Sequence, residues 1–161
     1  MLAVSVSVVA VGGLFYWTLR KTPPVQFGGA GGLQGVTNDD PRVRAAEAEA
    51  RRRWGEFLDL WEHRRPGQQF FVKGRITEGY VGEWLWIRVT YIGERGNTVT
   101  GDIDAPPTRV KSVHLNDTVV VSRDNISDWI YDGASERRGG FTIKALDEVE
   151  RQRASSRKAG E

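Results

Sequence analysis

The chain has 161 residues, a formal net charge of +2, 39% hydrophobic and 27% charged residues, a balance that fits one ordinary globular domain with flanking segments. With no cysteine, a disulfide framework, a thiolate-held zinc or iron–sulfur centre and a thiol nucleophile are excluded. His63 and His114 are the only histidines, too few to build a histidine zinc site, so neither a metal nor a cofactor is expected.

Leu2 to Leu19 is an uncharged run of 18 residues, about 27 Å long as a helix and close to the thickness of a bilayer core. Phe15, Tyr16 and Trp17 stand near its end and Arg20 and Lys21 follow, the aromatic and positive flank of a membrane segment. The run predicts a single transmembrane helix in residues 1–21, in contact with the membrane through residues 2–19. The basic flank places the following domain in the cytoplasm by the positive-inside rule. A cleaved signal peptide competes with this reading through the small residues Ala10, Gly12 and Gly13, but no Lys or Arg precedes the apolar run.

Residues 22–41 read as a flexible linker, with Pro23, Pro24 and the run Gly28-Gly29-Ala30-Gly31-Gly32. The run lacks the Gly-Lys-Ser/Thr ending of a phosphate loop and no apolar strand leads into it. Pro41 opens a helix over residues 42–63, capped by Asp39 or Asp40. Val43, Ala46, Ala50, Trp54, Phe57, Leu58 and Trp61 form one apolar stripe at three- and four-residue steps. Arg64-Arg65-Pro66-Gly67 closes it with cations and helix breakers.

From residue 68 the period changes to two. Phe71 and Lys73 begin a strand, and Trp84 to Ile92 alternates. Leu85, Ile87, Val89 and Tyr91 share one face; Trp84, Trp86, Arg88 and Thr90 share the other. Gly93 to Asn97 is a hairpin turn and Thr98 to Ile103 the returning strand. Val110–Val113, Val119–Val121, Ile126–Tyr131 and Phe141–Ala145 supply further short strands. The predicted fold is α+β: a curved antiparallel sheet or small barrel covered by one N-terminal amphipathic helix, plus the transmembrane helix. The domain occupies residues 42–146, and residues 147–161 form a charged tail, either a frayed helix or a disordered segment. Residues 66–150 carry ten basic and thirteen acidic residues, a mildly acidic fold that argues against nucleic acid as a partner.

Several blocks follow one another in a set order: Phe71-Val72-Lys73, Glu83-Trp84-Leu85-Trp86-Ile87, Gly101 to Pro106, Ile126-Ser127-Asp128-Trp129-Ile130-Tyr131, and Gly139-Gly140-Phe141-Thr142-Ile143-Lys144. Together they resemble the bacterial YegJ-like domain of unknown function over about half of the chain. The resemblance implies a bacterial origin and a fold unit, and no reaction. Trp84 stands where the family commonly has His, Asp104 replaces Asn, Asn116 replaces Gly and Lys144 replaces Arg. A His-dependent activity in the family would therefore be missing here.

Four charged residues lie in these blocks: Lys73, Glu83, Asp128 and Lys144. A catalytic reading makes Glu83 and Asp128 a carboxylate pair for a hydrolase, with Lys73 or Lys144 holding an anion or tuning them. The competing reading places them in turns, caps and ion pairs. Trp84, Trp86, Trp129 and Tyr131 are the candidate binding residues, as the lining of a shallow groove. Either helix 42–63 covers the Trp84/Trp86 face or that face is an open patch for a protein partner. The leading functional expectation is a membrane-tethered cytoplasmic binding or adaptor module without enzymatic activity. The hydrolase and a structural subunit of a cell-envelope complex are the alternatives.

Overall fold

The computed structural model describes residues 40–159. The expected membrane segment and nearly all of the linker lie outside these residues. No helix among the described residues is long and apolar enough to cross a membrane.

Helix α1 spans Pro41–Arg52. Asp40 caps it, accepting the Arg42 amide at 2.9 Å, and Pro41 occupies the first helical position, where its missing N–H costs nothing. Helix α2 spans Trp54–Glu62. The single helix expected over 42–63 is broken at Arg53, whose φ of −94° and ψ of 15° leave the helical region. The break keeps the apolar stripe on the sheet: Val43, Ala50, Trp54 and Phe57 are the buried residues of the two segments.

The strands are β1 (Gln69–Glu78), β2 (Val81–Ile92), β3 (Thr98–Ile103), β4 (Thr118–Ser122), β5 (Ile126–Asp132) and β6 (Arg137–Gly139), followed by helix α3 (Phe141–Ala159). They form one open antiparallel sheet in the order β4-β3-β2-β1-β5-β6, so the barrel alternative does not close. On the face toward α1 and α2, Trp54 and Phe57 pack against Phe70, Val72, Ile87, Val99, Val121, Ile126, Trp129 and Tyr131. Phe57 is the hub, with ring centroids 4.9 Å from Trp54, 5.7 Å from Phe70 and 5.3 Å from Trp129. Such pairs add about 0.5–1.5 kcal/mol each beyond their buried area. The Trp129 indole N–H also donates to the Ala50 carbonyl at 3.0 Å, fixing the end of α1 to β5.

Two bulges bend the sheet and change its parity. In the β1–β5 ladder Lys73 faces Asp128 but Gly74 faces Ile126, so Ser127 is the extra residue. Ile126 and Trp129, three apart, therefore share one face. In the β2–β3 ladder Val89 faces Gly101 and Tyr91 faces Thr100. This shift turns Tyr91, which alternation assigns to the core face, outward to 60% exposure, and Ile92 packs in its place. Gly74 sits under the curl of the sheet: a Cβ there would come within 2.7 Å of Ile87 Cδ1 and 3.1 Å of Val121 Cγ1.

Two predicted strands are absent. Val110–Val113 belongs to the connection between β3 and β4, where Val110 packs on Leu85 and Ile103. Phe141–Ala145 is the first turn of α3, not a strand. The same helix continues through residues 147–159, so the expected charged tail is ordered helix; Val149 is fully buried while residues 151–158 are exposed.

The turn before α3 rests on Gly139, at φ +79°, where a Cβ would overlap the Trp129 carbonyl oxygen. Gly139→Ala is expected to lower unfolding free energy by at least about 3 kcal/mol in urea denaturation, since left-handed strain and overlap with backbone act together. Gly55, in the first turn of α2 with open space around its Cα, provides the contrast: Gly55→Ala should stabilise by up to about 1 kcal/mol.

Candidate functional site

Glu83 lies on β2 opposite Ile76, on the face that also carries Leu85 and Ile87. Its carboxylate is buried and meets the connection between β3 and β4. Oε1 accepts the Thr108 amide at 2.9 Å and its hydroxyl at 2.7 Å; Oε2 accepts the Arg109 amide at 2.8 Å and the Val110 amide at 3.1 Å. Three consecutive backbone N–H groups thus form an anion nest around one side chain. Burial alone would raise this carboxyl, but the donors from Thr108, Arg109 and Val110 together outweigh it and hold the group at about 2.

Asp128 lies on the opposite face of the sheet, on β5 across from Lys73. It is fully buried. Oδ1 accepts the amides of Trp129 at 2.8 Å and Phe141 at 3.2 Å; Oδ2 accepts the Thr142 amide at 2.8 Å and hydroxyl at 2.7 Å. A carboxylate from β5 therefore caps α3, where the positive end of the helix dipole favours it. Burial pushes its pKa up, against the opposing pull of the bonds from Thr142, Trp129 and Phe141.

Lys73 is partly buried, and burial lowers its pKa while Asp128 and Glu47 pull it upward. Lys144 is exposed on α3, its ammonium 5.9 Å from the Phe141 ring. Of the four charged candidates, the fold brings Lys73 and Asp128 together, and separates Glu83 from Asp128 by the thickness of the sheet. The carboxylate pair required for the hydrolase reading does not converge. Each carboxylate is instead occupied by backbone amides.

The aromatic groove also does not form as expected. Trp129 is 0% exposed and Tyr131 lies in the same core, its hydroxyl accepting from Gln68 Nε2 at 2.7 Å. Trp86 is 8% exposed and packs with Phe71 and Ile130, joined by Ile143 of α3. Cover from the start of α3, rather than from helices α1 and α2, was not legible in a segment that reads as a strand. Trp84 retains partial exposure.

A surface hollow of about 580 Å³ lies where α2 passes into β1, lined by Trp61, Arg64, Arg65, Gln68, Gln69 and Arg88 among others. The Arg64 guanidinium lies 4.1 Å from the Trp61 ring centroid and donates to the Trp61 carbonyl at 2.7 Å. Arg88 is held loosely, 3.5 Å from Asp102. Arg64, Arg65 and Arg88 are thus the basic residues of a hollow with no acidic residue in its lining, the Arg88 side chain itself lying on the Phe71 face and reaching toward Asp102. The sequence signal was the Arg64-Arg65 pair, which reads as a helix stop; Arg88 joins it only through the strand register. Among the described residues no His, Asp and Glu cluster suits a metal ion.

A family model described as uncharacterized protein conserved in bacteria (DUF2314) matches residues 40–158. A Neisseria meningitidis serogroup B protein named for ankyrin repeats is 30% identical over 122 residues, covering 69% of this chain and 47% of that relative. The uncharacterized protein YegJ of Escherichia coli K12 is 28% identical over 109 residues, covering 67% of this chain and 69% of the relative. The chain thus spans about half of the first relative's length. No solved structure matches the chain.

The Glu83 nest carries a pH signature. Its folded pKa of about 2 lies below the ordinary 4.5, so its stabilisation is present above the ordinary value and is lost as pH falls toward the folded one. Glu83→Gln should cost about 2 kcal/mol near neutrality, because it removes charge-assisted bonds. Denaturation across pH should show the gap between parent and variant closing from about 4.5 down to about 2. A gap independent of pH would overturn the ionised assignment.

Proposed function

The chain belongs to the DUF2314 family of uncharacterised bacterial proteins, and from that premise we propose that it is a non-catalytic binding module. Its ligand is an acidic segment of a protein partner, and its recognition surface is the hollow of Trp61, Arg64 and Arg65. One observation carries the reading: Arg64 and Arg65 stand beside Trp61 at an open hollow with no carboxylate in its lining. Arginine forks pair with carboxylates in bidentate fashion, and the Trp61 ring offers an apolar wall beside them. The two carboxylates that a hydrolase would need are already occupied by backbone donors.

The expected binding constant is read from the anisotropy of a labelled Asp/Glu-rich peptide titrated with the full chain. Affinity should fall with added salt and by at least roughly tenfold in the double variant Arg64→Glu, Arg65→Glu, an effect equivalent to about 1.4 kcal/mol or more. A Lys-rich peptide of equal length should not bind. Equal affinity for both peptides, or an unchanged constant in a folded double variant, would remove the hollow as the recognition surface.

The uncharged run of residues 2–19 and its basic flank Arg20-Lys21 support the further proposal that this module is tethered to a membrane, facing the cytoplasm. Deleting residues 2–19 should move the protein from the membrane fraction to the supernatant, and a reporter joined after Glu161 should be active only on the cytoplasmic side. A full-length chain recovered in the supernatant would overturn the tether.

A further inference from the structure

Strand β4 is an edge of the sheet, hydrogen-bonded to β3 alone. Its sequence, Thr118-Val119-Val120-Val121-Ser122, holds no charge, no proline and no bulge. These are the devices by which natural edges avoid further pairing. Val120 is 66% exposed, and Thr118 and Ser122 are exposed beside it.

The direction of each backbone group follows from the register. Arg123 N–H donates to Asn97 at 2.8 Å and Ile103 N–H donates to Asp117 at 3.0 Å. Counting inward from these two bonds in steps of two, Val119 and Val121 turn their N–H and C=O groups toward β3, opposite Gly101 and Val99. The N–H and C=O groups of Thr118, Val120 and Ser122 therefore point away from the sheet.

We propose that β4 pairs with β4 of a second copy of this chain, antiparallel, about a two-fold axis through Val120. In that register Val120 faces Val120 of the partner, and Thr118 faces Ser122 at both ends. Each outward N–H and C=O then finds a partner, whereas a slip by two residues strands one of the three positions. The same register sets Asp117 of one chain opposite Arg123 of the other, at both ends. The Arg123 guanidinium already lies 4.6 Å from the Trp54 ring and donates to the Arg51 carbonyl, so its contribution is complementary charge rather than a new ion pair. Val120 and Val120 meet as exposed β-branched side chains, a favourable cross-strand pair. Five residues a side bury less than the roughly 1,000 Å² of a standard interface, so the dimer is a weak one, governed by local concentration.

The chain has no cysteine, which makes a single-thiol test clean. Facing residues of a hydrogen-bonded antiparallel pair have Cα atoms about 5.5 Å apart, inside the range a disulfide spans. The full chain in detergent carrying Val120→Cys, oxidised by glutathione disulfide, should form a covalent dimer at least roughly tenfold faster than Ser135→Cys, an exposed site away from β4. Sedimentation of the unsubstituted chain should show a concentration-dependent dimer. Val120→Lys, which sets two like charges face to face on an exposed position, should weaken it by roughly tenfold or more without altering the circular dichroism. Equal cross-linking at Val120→Cys and Ser135→Cys, a monomer at all concentrations, or a dimer indifferent to Val120→Lys would each overturn the proposal.

Discussion

The buried carboxylate of Asp128 is the contact on which the rest of the domain depends. A charge removed from water is costly unless donors replace the water, and here the Trp129, Phe141 and Thr142 amides and the Thr142 hydroxyl all converge on it. That convergence fixes the first turn of α3 to β5. Phe141 then meets the Trp129 ring at 5.5 Å on the helical face, while Ile143 reaches the Phe71, Trp86 and Ile130 cluster on the other. One anion thereby decides where α3 begins, which face Trp86 is covered from, and that Trp129 is held between two helices.

Glu83 repeats the device on the opposite face. There the donors belong to a connection without regular structure, whose amides have no ladder to join. Holding them lets Val110 reach Leu85 and Ile103. Both acids trade a desolvation cost for a set of satisfied amides. Each carboxylate reaches from a strand to a point where the chain changes direction, the β3–β4 connection for Glu83 and the start of α3 for Asp128, and this engagement leaves neither free for proton transfer.

The elements legible in the sequence were those whose cause is local. Asp40 and Pro41 announce the start of α1, the stripe from Val43 to Phe57 names the buried helical face, and Gly93 to Asn97 marks the β2–β3 turn. What misled the reading has its cause far along the chain. Phe141-Thr142-Ile143 has strand-forming residues, and it is a helix because its cap arrives from Asp128, thirteen residues earlier. Tyr91 fits the alternation of β2 and is turned out by a bulge that only the pairing with β3 reveals. Alternation on separate strands could not tell that Glu83 and Asp128 lie on opposite faces. The hollow was invisible for a related reason, since Arg88 and Val89 of β2 come beside the α2–β1 connection only through strand pairing.

These constraints also separate the surfaces left for recognition. The lining of the hollow comes from Trp61 of α2, the connection from Arg64 to Gln68, the start of β1, and Arg88 and Val89 of β2. None of it lies on β4, so self-pairing at that edge leaves the hollow of each copy open. A weak edge-to-edge dimer would then present two cationic hollows at once, and a partner with two acidic segments would engage the second at an effective concentration set by the link between them. The proposed membrane tether would act in the same direction by raising the local concentration of the edges. A five-residue ladder and a single polar hollow, each marginal alone, can in this way combine into a useful affinity without any further contact surface.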